Sequence, residues 1–269
     1  MRKRSWISRL RIFSITCLCV GGLVFYIGFV NRKPSTQFPF FSNLFSMEYV
    51  YESINSIDVD ANAILFSVKK GDENKIIIHN IEEEDMSLIE KDGNISIRLH
   101  QKRRLRKQAI DIVVKDGQLE TLDINVDAGK VNVQNLSMNT LFLNNKATSV
   151  QMNHVVVNKK AWLNANAGDY RLKDVISNQT DMKLNAGLID FSGELKGKSN
   201  LSLMAGSVDL NIKGNQEDYN YYLDNKAGSI YINGEKVNGF TNSLSSQDHV
   251  KNNLLIDVTT GKIRIHFSK

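Results

Sequence analysis

Residues Ile124–Val133 read INVDAGKVNV. Apolar side chains alternate up to Val126, an Ala-Gly pair interrupts, and alternation resumes at Val131 and Val133. Period-two alternation marks a half-buried strand, and glycine at the break permits a backbone that other residues find strained. The pattern returns with breaks at Asn62, Gly93, Gly129, Thr148, Gly168, Gly187, Gly206, Gly228 and Gly261, seven of the nine being glycine. Two residues after the central breaks stand Val131, Val150, Tyr170, Ile189 and Val208, and four after stand Val133, Met152, Leu172, Phe191 and Leu210. Five residues before the nine breaks, from Ile57 to Ile256, the side chain is again always apolar.

Between Gly129 and Gly206 the steps are 19, 20, 19 and 19 residues. A fixed period of that size is the mark of a stacked array in which each coil buries its apolar face on its neighbours. The fold class expected is all-β, a parallel β-solenoid of ~19–20-residue coils with two strands per step, following one N-terminal transmembrane helix. A meander of hairpins is excluded by the spacing, since its turns would recur every ~8–12 residues. On this reading IDVDANAILF (57–66) matches INVDAGKVNV position for position, with Asn62 where Gly129 stands, and KIIIH (75–79) adds a strand. Thr148 is expected to turn differently from the glycines. LLIDVTTGKIRIHF (254–267) is expected to close the sheet at its end, with Lys262, Arg264 and His266 blunting the edge.

Of the 269 residues, 42% are hydrophobic, enough for one sizeable core. The net charge of +5 is unevenly placed: residues 1–33 hold seven basic side chains and no acid, leaving the remainder at −2. That balance argues against a nucleic-acid partner. Residues 12–30 carry no charge, and nineteen residues at ~1.5 Å each come close to the ~30 Å hydrocarbon core. The length favours a retained anchor over a cleaved signal peptide; five basic residues precede the span and two follow it, which for an anchor places the N-terminus in the cytoplasm and the rest outside. The domain plan is therefore a basic cytoplasmic tail (1–11), a transmembrane anchor (12–30), a linker and N-terminal cap (31–55) and an extracytoplasmic β-solenoid (56–269). Both prolines and a crowd of aromatics from Phe38 to Tyr51 lie in the linker.

The two cysteines, Cys17 and Cys19, lie inside the apolar span, so the ectodomain has no disulfide framework and no cysteine-ligated metal. Its five histidines are scattered, and no HExxH, GxSxG, GxGxxG or phosphate-binding loop occurs. Aspartates recur beside the breaks, as Asp60, Asp127, Asp169, Asp190 and Asp209, without the GGxGxD order of a calcium roll; they read as turn-capping and solvent-facing residues. Asn-Lys-Ala recurs at 145–147 and 225–227 as part of the repeat. No catalytic residue and no cofactor is expected. The one candidate binding set is basic: Arg98, Lys102, Arg103, Arg104, Arg106 and Lys107, in the long gap between Gly93 and Gly129. It is read as a projecting loop, either a solvated insertion or a patch suited to anionic wall polymer or phospholipid head groups.

An apolar N-terminal segment, then IDVDANAILFSVKKGDENKIIIH, LETLDINVDAGKVNVQNL and repeated L-x-x-x-A-G-x-[VI]-x-[LFI], resembles the LiaG-like family of bacterial candidate adhesins over residues 54–269. Members usually show a proline and a glycine just before the central repeats; here Gly117 is kept and the proline is absent. The resemblance implies a membrane-attached, non-enzymatic β-repeat ectodomain of the cell envelope, mostly in Gram-positive bacteria and sometimes beside envelope-stress signalling components. It supplies no catalytic residues. Two other functions fit the architecture: a polysaccharide-lyase-like β-helix enzyme, which would need clustered carboxylates, and an accessory regulator of a membrane sensor kinase system.

Overall fold

A computed structural model of the chain describes residues 46–99, 108–237, 243–245 and 250–268. The tail 1–11, the apolar span 12–30, the linker up to residue 45 and the basic residues Lys102–Lys107 lie outside the described residues. What is described is all-β. Its strands are β1 (Ser46–Tyr51), β2 (Ser56–Gly71), β3 (Asn74–His79), β4 (Met86–Lys91), β5 (Asn94–Leu99), β6 (Ala109–Lys115), β7 (Gln118–Lys213), β8 (Tyr219–Ile232), β9 (Glu235–Lys236), β10 (Ser243–Ser245) and β11 (Asn252–Ser268).

β7 is an unbroken run of 96 residues of extended chain wound through successive coils. Side-chain bonds between residues 19 or 20 apart tie those coils together, as from Asn144 to Asn125 and from Asn164 to Asn144. The strands that flank β7 run parallel to it: β2 on one side and β11 on the other, with β8 parallel to β11 in turn. Both expected inward columns are buried along their length, Tyr170, Ile189 and Val208 completely.

Each coil has three inward stretches rather than the expected two. In the coil after Gly129 they are Val131 and Val133, then Leu136 and Met138, then Leu141 and Leu143, all buried. The extra corner falls at Asn135, His154, Asp174 and Gly193, all at positive φ. Asn, His, Asp and Gly are the residues that tolerate that region, so the second corner is written at the same period in a less uniform alphabet.

Glycine at the first corner answers to a closer constraint than a turn. A β-carbon on Gly187 would stand 1.9 Å from the carbonyl oxygen of Gly168, and one on Gly206 would stand 1.8 Å from that of Gly187. The backbone of one rung thus occupies the place of the next rung's side chain. Thr148 is not at positive φ, and neither is Gly168; the Thr148 Oγ1 donates to the Val126 carbonyl at 3.4 Å.

Three expectations are corrected. Register places Ile57 beside Leu122 and Ile64 beside Gly129, so the match of Asn62 to Gly129 is two residues out of step. Asp92–Gly93 is the tight turn of an antiparallel β4–β5 hairpin, not a coil corner; Asp-Gly is a strong signal for that turn. Most consequential, β11 does not end the sheet. Gly261 stacks on Gly206 and Gly228 stacks on Gly261, so the last strand in sequence lies between β7 and β8. At the other end β2 likewise lies inside, between β7 and the β5–β6 coil. The ends of the stack are instead finished by antiparallel pieces: β1 on β3 and β3 on β6, β4 on β5, and β10 on β8. Tyr49 and Tyr51 of β1 pack against the core.

Candidate functional site

On the outer surface of the solenoid, residues at one repeat position line up about 4.8 Å apart. Before the glycine corner two outward columns run side by side. One contains Asp60, Asn125, Asn144 and Asn164. Asn125 donates to Asp60 at 3.1 Å, Asn144 to Asn125 at 3.2 Å and Asn164 to Asn144 at 3.2 Å. Each carboxamide in the middle of this row spends one N–H and one lone pair on its neighbours, leaving a second N–H and a second lone pair to serve another partner.

The parallel column, two residues earlier on each rung, runs Asp58, Asp123, Phe142, Trp162, Asp181, Asn200, Leu255, Tyr222. At the outward phase a polar side chain is the rule, yet Phe142 and Trp162 sit on consecutive rungs. Their ring centroids are 6.0 Å apart and the planes meet at 77°, the edge-to-face geometry that aromatic pairs favour. Trp162 is 49% exposed. With Asp123, Leu143, Asn144 and Asn164 the pair lines a recess of about 370 Å³.

Charge frames the aromatics on both sides. The Lys160 ammonium stands 5.9 Å from the Trp162 ring centre and 3.2 Å from Asp181, which also accepts from Asn200 at 2.7 Å. Those donors hold the Asp181 carboxyl below its usual range, the Asn200 bond most of all, with Lys160 adding to it. On the other flank partial burial pushes the Asp123 carboxyl upward; the Asp58 carboxylate adds to the rise and Arg98 opposes it.

Arg98, expected in a projecting basic loop, is instead on β5. It pairs with the Asp58 carboxylate and donates to the Asp58 and Ile97 carbonyls at 3.4 and 3.2 Å. It is committed to the rung beside it. Lys102, Arg103, Arg104, Arg106 and Lys107 belong to the segment that joins the parallel strands β5 and β6, outside the described residues. The recurrent aspartates mostly hold neighbours: Asp127 bridges Lys146 at 2.8 Å, Asp169 bridges Arg171 at 3.5 Å, and Asp209 takes a two-pronged pair from Arg264. That last pair lines a second recess of about 550 Å³ together with Tyr231, whose ring centre lies 4.5 Å from the Lys262 ammonium. The asparagines of the two Asn-Lys-Ala segments point inward, Asn145 donating to the Tyr170 hydroxyl at 3.1 Å and Asn225 to the Gly261 carbonyl at 3.0 Å. The aromatic pair escaped a reading focused on inward positions. Its signal was there, as two aromatics one period apart at a phase where asparagine and aspartate prevail.

Residues 54–249 match the family described as Toastrack DUF4097. No curated protein matches the chain. Among solved structures it is similar to a candidate adhesin from Bacteroides fragilis, at 13% identity over 83% of this chain and 97% of that one, with a TM-score of 0.42. It is also similar to a candidate cell-adhesion protein from Clostridium sporogenes, at 11% identity over 84% and 100%, with a TM-score of 0.36. A candidate lipid-binding protein from Parabacteroides distasonis is similar at 10% identity over 85% and 98%, with a TM-score of 0.36.

Proposed function

This chain belongs to the Toastrack family, and we propose that it is a non-enzymatic binding or scaffold protein of the bacterial envelope, LiaG-like in type, held to the membrane by the apolar span 12–30 with its solenoid outside. The observation that carries this reading is the surface itself: outward rows in which side chains bond from rung to rung, as Asn164 to Asn144 to Asn125, with the half-exposed Trp162 and its neighbour Phe142 set among carboxamides and carboxylates. A paired and pre-ordered surface suits contact with an extended partner, because little side-chain freedom remains to be lost on binding. The charge step at residues 1–33 supports the orientation, with the tail inside. The basic residues Lys102, Arg103, Arg104, Arg106 and Lys107 add attraction to anionic wall polymer or phospholipid, each contributing roughly 1 kcal/mol near such a surface. Arg98, bound to Asp58, takes no part in this. A role beside an envelope-stress sensor fits the same placement.

The test is co-sedimentation of the full-length chain in lipid nanodiscs with purified cell-wall sacculi. Retention that falls with salt, with no sugar or peptide released from the sacculi, is expected. Changing Arg103, Arg104, Arg106 and Lys107 to Gln should reduce the salt-sensitive part. Release of unsaturated or reducing sugar ends would turn the reading to a lyase or hydrolase, and absence of retention would remove the wall as partner.

A further inference from the structure

We propose that the column centred on Phe142 and Trp162 is a subsite for one pyranose unit of a glycan chain. This rests on the reading of the chain as an envelope binding protein and names the class of ligand.

The argument is one of matched amphipathy. A pyranose ring has a face of C–H bonds and an edge of hydroxyls. The site has an apolar stripe and, two residues along the same strands, a polar stripe, roughly 7 Å away at ~3.3–3.4 Å per residue. The half-exposed indole of Trp162, at 77° to the Phe142 ring and with the Lys160 ammonium 5.9 Å from its centre, is the stacking surface. Asn144 and Asn164 are already oriented by the bonds between them, and each retains a donor for a hydroxyl. Their geometry does not have to be assembled when ligand arrives, which removes part of the ordering cost.

Size decides between a sugar and other occupants. The Phe142–Trp162 pair spans two rungs, about 10 Å along the stack. A stable protein partner usually covers ~800 Å² per side with a wide apolar centre; here Asp123 closes the strip on one flank and the Lys160–Asp181 pair on the other. An acyl chain would have to lie against those charges. A ring of pyranose size fits the recess of about 370 Å³, and its hydroxyls can meet the charged groups that border it. The stack axis also advances by about one strand spacing per rung, close to the advance per sugar in an extended β-linked glycan, so further units would pass over Asp123 or Asp181.

The experiment uses the full-length chain in nanodiscs, titrated with soluble β-1,4-linked oligomers of N-acetylglucosamine and, separately, of glucose. Calorimetry measures binding, and tryptophan emission reports on Trp162, the other tryptophan being Trp6. At least one oligomer should bind saturably and shift the emission. Trp162→Ala should lower affinity by roughly tenfold or more, with Trp162→Phe between it and the parent. Phe142→Ala and Asn164→Ala should each weaken binding, and Arg171→Ala, on another face, should not. Circular dichroism checks folding, and if Trp162→Ala is unfolded the Asn164→Ala result decides. Unchanged affinity in the Trp162 and Asn164 variants would overturn the proposal. So would failure of both oligomers to bind while the chain still sediments with sacculi, in which case the envelope-binding reading stands and only this subsite falls.

Discussion

Among single residues the informative ones are polar groups inside the stack. Asn145 and Tyr170 are both buried, and the Asn145 Nδ2 donates to the Tyr170 hydroxyl, while Asn145 Oδ1 has no partner among the described residues. Burial pushes the Tyr170 hydroxyl up to about 12, with the Asn145 bond pulling slightly the other way, so it stays protonated through the physiological range. Removing one partner strands the other, at a cost of ~1–3 kcal/mol, whereas replacing both with apolar groups can be nearly neutral. Tyr170→Phe and Asn145→Val should therefore each destabilise by about that amount in urea unfolding, and the double variant should lose less than the two losses added. Strict additivity would show that the bond contributes nothing. At this scale the sequence was only partly legible. The apolar phase of Tyr170 was plain, but Asn145 occupies an inward position that its polarity disguises, and only its alignment with Val126 and Leu184 in the repeat points to burial.

At the scale of the strand and the rung, what counts is the bond from one coil to the next. Asp181 accepts from Asn200 on the next rung and pairs with Lys160 on the previous one, so one carboxylate fastens three coils. Its pKa is lowered from 3.8, hence the stabilisation is present above the ordinary carboxylate pKa and is lost as pH falls through the lowered folded value. Asp181→Asn keeps the shape but not the proton linkage. At neutral pH it should cost under about 1 kcal/mol, as exposed pairs do. Between pH 7 and pH 3 it should lose less stability than the parent in denaturant titrations; an equal loss would show that other carboxylates carry the acid sensitivity. The period and the inward phase of these rungs were legible because burial acts on every coil alike. Register at Asn62 was not, since two rungs with the same alternation look equally good when slid by two residues. Nor was the nature of Gly93, because a hairpin turn and a stacked corner ask for glycine for different reasons, and the residue alone does not say which.

For the whole molecule, the order of coils in space differs from their order in sequence at both ends. Nothing in local alternation could reveal this, since β8 and β11 carry interchangeable patterns and the polar run between them permits either arrangement. β11 has parallel partners on both sides, β7 and β8. Ending the chain at residue 249 should therefore do more than fray a terminus: hydrogen exchange should show β8 (Tyr219–Ile232) losing protection together with the last coil of β7, while Ile57–Val133 stays protected. Protection of β8 in the shortened chain would mean that it can dock directly on β7. The insertion also sets a clock. Synthesis delivers residues 219–232 before the strand against which they lie, so that end of the stack is held open until the seventeen residues of β11 have arrived and slipped in. A polypeptide that lacks β11 leaves β8 without its parallel partner. It leaves an unzipped rung open to proteolysis, and the fold thereby checks that β11 is in place.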